Sequence, residues 1–176
     1  SQGPKEIART LQSGKYIKRI EAFSIKDPIF KTIRLFKNVQ SVTLTLNEDQ
    51  IIRNHSIVKS FTHLKQLNIT LHRGKEIPTP QRTTTILKFF QHLFAIKTLK
   101  NLQLDLLNAK TFESILNLQN LLFYLGQSSH LLSTFKIQAK LKKFDNLQFE
   151  YLKKFLAHVE LLVLQFLSRE STSKTA

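Results

Sequence analysis

Cysteine, methionine and tryptophan are absent from this chain, and glycine and proline occur only four times each. Without cysteine there is no disulfide framework, no thiolate metal ligand and no thiol nucleophile, and the chain is expected to be intracellular, in cytoplasm or nucleus. The scarcity of glycine and proline fits helices and strands joined by short turns, and no phosphate-binding glycine loop is found. Ser13-Gly14-Lys15, the nearest approach to such a loop, lacks the upstream glycine. No apolar run is long enough to span a bilayer, and the N-terminus has no apolar signal region. Methionine is missing even at position 1, which points to a fragment or processed chain beginning with a preparative remnant, Ser1-Gln2-Gly3-Pro4.

Acidic residues are few, 12 against 27 Lys and Arg. They are scattered, apart from Glu48-Asp49, which is expected to open a helix, where negative charge is favoured. The six histidines never form an H-x-x-x-H pair, so no zinc site is expected. Tyr16, Tyr124 and Tyr151 stand alone, and the 14 Phe follow apolar periodicity rather than the pairing of a base-stacking platform. No catalytic residues, cofactor, metal or small-molecule substrate is therefore inferred, and the chain is read as no enzyme.

What the chain does contain is one apolar pattern that returns. Val39, Val42, Leu44 and Leu46 set it; Leu64, Leu67, Ile69 and Leu71 repeat it; so do Leu99, Leu102, Leu104 and Leu106. Leu132, Phe135, Ile137 and Ala139 are a looser copy. Ile17, Ile20 and Ala22 begin a weaker one, and Val159, Leu162, Leu164 and Phe166 end the series. Alternation of apolar and polar residues is the period of a half-buried strand. Between copies the period becomes helical, in Ile86, Leu87, Phe90, Leu93 and Phe94 and again in Ile115, Leu118, Leu121, Leu122 and Leu125. Ile51, Ile52, Val58 and Phe61 are a weaker third case. Gly74, Pro78 and Pro80 mark a loop ahead of the helix at 86, and Asp27-Pro28 a break before the second repeat.

These residues resemble the leucine-rich repeat family, whose L-x-x-L-x-L-x-x-N/C-x-L pattern builds a strand followed by a helix. The resemblance spans residues 17 to 166 and implies an α/β solenoid with a parallel sheet on one face and helices on the other. A residue bias toward Leu, Phe, Ile, Lys, Asn and Gln is similar to that of divergent ciliate repeats. Copies starting at 17, 39, 64, 99, 132 and 159 are spaced by 22, 25, 35, 33 and 27 residues, so the two long ones must carry extra loop or longer helices. The family's Asn position holds Asn47 once; His72, Leu107 and Lys140 stand at the matching sites. A single α/β layer domain with coincidentally similar strands is the alternative. The expected organisation is an N-terminal segment 1–16, the repeat domain 17–167 and a polar tail 168–176.

In that family the residues between strand leucines face the concave, partner-binding surface. Here they are Arg19, Glu21, Ser41, Thr43, Thr45, Gln66, Asn68, Thr70, Asn101, Gln103, Asp105, Thr134, Lys136 and Gln138, a mostly neutral polar set. The net charge of +15 favours acidic partners, and it is spread along the chain rather than focused. Lys15, Lys18 and Arg19 form one basic patch and Lys140, Lys142 and Lys143 another. In the last copy Leu161 and Val163 replace the polar face residues. That segment fits an edge strand needing cover, or equally a capping helix through Leu152, Phe155, Leu156, Val159, Leu162, Val163 and Phe166. The reading that results is a non-catalytic scaffold or assembly subunit with a protein partner. RNA or DNA binding through basic helix and loop surfaces is one alternative, and a regulatory repeat module of a larger enzyme is another.

Overall fold

The computed structural model describes residues 17–22, 38–127, 132–141 and 161–168. They form an α/β unit on a six-stranded, wholly parallel sheet whose strands lie side by side in chain order. The strands are β1 (Arg19–Ala22), β2 (Ser41–Asn47), β3 (Gln66–His72), β4 (Asn101–Asn108), β5 (Thr134–Leu141) and β6 (Leu161–Ser168). Three helices connect the middle strands: α1 (Glu48–Asn54), α2 (Pro80–Phe94) and α3 (Ile115–Gln127). Among the described residues no helix is long and apolar enough to cross a membrane.

The sheet repeats at the level of single hydrogen bonds. The carbonyl of Lys18 accepts the N–H groups of Gln40 and Ser41 at 2.8 and 3.0 Å. Gln40 does the same for Lys65 and Gln66, Lys65 for Lys100 and Asn101, and Lys100 for Ser133 and Thr134. Each strand is therefore started by the one before it, and the recurring apolar pattern falls into register. Ile20, Val42, Leu67, Leu102, Phe135 and Leu162 lie in one row across all six strands. Val42, Leu67 and Phe135 are fully buried and Leu102 nearly so, since alternate side chains of a strand share one face.

The helices cover that apolar face. Asn47 ends β2 and caps α1 through a reciprocal pair: its Oδ1 accepts the Gln50 N–H, and Gln50 Oε1 accepts the Asn47 N–H, both at 2.9 Å. The apolar spacing from Ile51 to Phe61 is not one helix. α1 stops at Asn54, and a 3₁₀ segment, His55–Ser60, carries Ile57 and Val58 into the core. Pro80, expected in the loop, instead opens α2, where its missing N–H costs nothing, with Thr79 as the capping residue. Phe90 sits at the centre of the helix layer, its ring 5.3 Å from Phe89, 6.2 Å from Phe94 and 5.5 Å from Phe112. Burial of large rings here dominates the packing energy.

A further expectation changes, and one open alternative is decided. The Asn-equivalent site in β4 is Asn108, not Leu107. The register runs Thr70 opposite Asp105 and then His72 opposite Asn108, so β4 carries one extra residue. Asp105 Oδ1 accepts the Leu107 N–H at 3.1 Å, a local bond that accompanies the bulge. The strand alternative for the chain's last copy holds: β6 pairs with β5, Thr134 opposite Leu161 and Lys136 opposite Val163, and runs on to Ser168, one residue into the expected tail. Residues 1–16, 23–37, 128–131, 142–160 and 169–176, including Asp27-Pro28, Leu152, Phe155 and Leu156, lie outside the described residues.

Candidate functional site

The face opposite the helices is built from the polar residues between strand leucines, and the register gathers them into three rows. Arg19, Ser41, Gln66, Asn101 and Thr134 form the first, ending at Leu161. Glu21, Thr43, Asn68, Gln103 and Lys136 form the second, ending at Val163. Thr45, Thr70, Asp105 and Gln138 form the third, ending at Gln165. Arg19, Glu21, Gln66, Gln103 and Lys136 are exposed and the other residues of the expected face are half-buried.

Neighbouring strands are tied across this face by side chains. Asn68 Nδ2 donates to Thr43 Oγ1 at 3.4 Å, the Thr134 hydroxyl to Asn101 Oδ1 at 2.7 Å, and Gln138 Nε2 to Gln165 Oε1 at 2.7 Å. Arg19 pairs with Glu21 along β1. These amides and hydroxyls stay accessible and can exchange partners with an incoming surface. Charge is sparse here, so what this face can offer is hydrogen bonding and shape.

The two sheet edges differ. At the N-terminal edge the residues preceding β1, β3 and β4 are Lys18, Lys65 and Lys100, all exposed, aligned by the carbonyl ladder. Of the basic patches expected from sequence, the described members are Lys18, Arg19 and Lys140; Lys15, Lys142 and Lys143 lie outside the described residues. The Lys65–Lys100 alignment was not anticipated, although each lysine directly follows the first leucine of its copy.

At the C-terminal edge Glu48 and Asp49, buried at the start of α1, join distant repeats. Glu48 accepts the N–H groups of Lys110 at 2.5 Å and Thr111 at 3.3 Å and the Thr111 hydroxyl as well. Asp49 accepts the Lys75 N–H at 2.8 Å and pairs with Arg82, whose other terminal nitrogen is 2.6 Å from Glu76. Burial acts to raise the Asp49 carboxyl, but the Lys75 N–H, then Arg82 and Arg53, outweigh it and hold the group below its ordinary value. The acidic pair does open a helix, as expected, and its carboxylates fasten the loops after β3 and β4. A cleft of about 250 Å³ lies beside this clamp, lined by Arg73, Lys75, Ile77, Arg82, Ile86 and Lys110 among others. Sequence offers no periodic signal for such contacts. Among the described residues no group of His, Asp or Glu is arranged to hold a metal.

No family model, curated protein or solved structure matches the chain.

Proposed function

We propose that the chain is a leucine-rich-repeat-like solenoid acting as a non-catalytic protein-interaction scaffold or assembly subunit, with the polar sheet face as its contact surface. The observation that carries this reading is the alignment of equivalent polar residues into continuous rows across successive strands. An extended array of this kind offers many weak, accessible hydrogen-bonding groups over a rigid support, which suits a broad macromolecular partner. The excess positive charge elsewhere on the chain accelerates encounter with an acidic partner without entering the contact.

The test is capture of partners from source cells with and without nuclease. The expected result is a protein set that survives nuclease and is lost with Asn68→Arg combined with Gln103→Arg, two changes in the middle row that leave the apolar face untouched. The lysine line Lys18, Lys65 and Lys100 supports a second reading, contact with a nucleic-acid backbone. Under it, capture vanishes with nuclease, and binding to RNA or DNA weakens steeply with salt.

A further inference from the structure

In a wholly parallel sheet every strand begins at one edge and ends at the other, and here that direction sorts charge. Of the six carboxylates among the described residues, Glu48, Asp49, Glu76 and Glu113 follow strand ends and lie at the C-terminal edge, where Arg73, Lys75, Arg82 and Lys110 accompany them. Glu21 and Asp105 lie within β1 and β4; the first is paired with Arg19 and the second accepts the Leu107 N–H. The residues leading into the strands, 17–18, 38–40, 61–65, 95–100 and 132–133, contain no Asp or Glu. They do contain Lys18, Lys65, Lys97 and Lys100, all exposed. The C-terminal edge is thus balanced, while the N-terminal edge is basic.

Backbone bonds hold these lysines near one another. The Lys65 carbonyl accepts the Lys100 N–H at 2.8 Å, and the Thr98 hydroxyl donates to the Leu64 carbonyl at 2.7 Å, so the turns before β3 and β4 are fastened side by side. Lys18 stands two strand steps from Lys65, about 10 Å along the same carbonyl ladder. Among the described residues none of the four lysines has a carboxylate within ion-pair distance.

We propose that the N-terminal edge binds the phosphate backbone of nucleic acid without reading its sequence. The inference rests on the second reading above and gives it a place and a number of contacts. Lysine is depleted in protein–protein interfaces, which are anchored by aromatic and apolar side chains. Among the described residues the only large apolar side chain exposed at this edge is Leu161, at its far end in β6. A line of unpaired lysines gains instead by displacing the counterions of a phosphate chain, and such contacts fix position but carry no base information. The lysines and the middle row of the polar face are different residues, so loss of one surface leaves the other.

The test is fluorescence anisotropy of the purified chain with labelled oligouridylate and with a labelled RNA of mixed sequence, between about 50 and about 200 mM salt. Both probes should bind alike, with a log–log salt slope near about −3, or roughly −0.7 for each lysine–phosphate contact. Lys65→Gln with Lys97→Gln and Lys100→Gln should weaken binding by about tenfold or more and flatten the slope by about 2. Arg73→Gln with Lys75→Gln and Lys110→Gln removes the same charge from the balanced edge and should leave the slope unchanged. On the unaltered protein, bound oligouridylate should shield Lys65, Lys97 and Lys100 from acetylation more than Lys75 and Lys110, read by mass spectrometry. That comparison stands even if a variant fails to fold. Equal losses in the two triple variants, equal shielding at both edges, or a strong preference for one RNA overturns the proposal and leaves the nucleic-acid reading in place. Tighter binding of polyglutamate than of either RNA overturns it in favour of an acidic protein. Binding to neither RNA at low salt removes the second reading with it.

Discussion

Glu48 accepts the Lys110 N–H at 2.5 Å across a separation of 62 residues, from the start of α1 to the loop after β4. The bond passes over an entire intervening repeat. With the Thr111 N–H and hydroxyl on the other oxygen, one carboxylate holds three donors of a distant loop.

Removing that carboxylate leaves buried donors unpaired. Glu48→Ala is expected to cost about 3 kcal/mol, and Glu48→Gln, which keeps an acceptor, about half that. Urea unfolding of both variants checks the order. Equal and negligible losses would mean that water replaces the clamp.

Asp49 makes stability depend on acid. Its carboxyl in the folded protein titrates below its unfolded value, so the unfolded chain takes up the proton first. The stabilisation is fully present above the unfolded value, near pH 4, and is lost as pH falls through the lower folded value. Unfolding midpoints measured downward from pH 5 should fall less steeply in Asp49→Asn than in the parent.

Gly74 is required by this same carboxylate. A Cβ at position 74 would lie 2.6 Å from Asp49 Cγ, far inside van der Waals contact. Gly74→Ala should therefore destabilise by about 1–3 kcal/mol. In an Asp49→Ala background the same change should cost much less, and the double-mutant cycle reads the difference.

The core is expected to behave as a close-packed interior. Leu104 is fully buried in the middle of β4, and Leu104→Ala should cost about 2–5 kcal/mol in chemical denaturation. Leu161, 45% accessible at the end of its row, should tolerate Lys within about 0.5 kcal/mol.

Strand positions were legible because alternation is a local signal: Val42, Leu44 and Leu46 announce their own buried face, whereas the last copy fitted strand and capping helix equally and only the pairing of Leu162 with Phe135 decides for the strand. The helical stripes of α2 and α3 were legible for the same reason. The bulge at Leu107 was hidden because it coincides with a bond between Asp105 and a backbone N–H two residues on, which leaves the apolar count almost unchanged. The roles of Glu48 and Asp49 were visible only as helix-opening charge. Their partners, Lys110, Thr111, Lys75 and Arg82, are brought to them by the parallel pairing of β2, β3 and β4, and no spacing in the chain encodes that. The rows of the polar face were legible residue by residue, whereas the side-by-side alignment of Lys65 with Lys100 came from the carbonyl ladder.

The most direct test of the account is a distance across the rows. The chain has no native cysteine, so nitroxide labels can be placed cleanly at Glu21→Cys and Lys136→Cys. These positions share the middle row, on β1 and β5, with β2, β3 and β4 between them. Four strand steps predict a separation of roughly 19 Å before allowance for label length. A narrow pulsed-EPR distribution near that value is expected. A broad distribution, or a mean beyond roughly twice that distance, would contradict the side-by-side stacking on which the proposed contact surface depends.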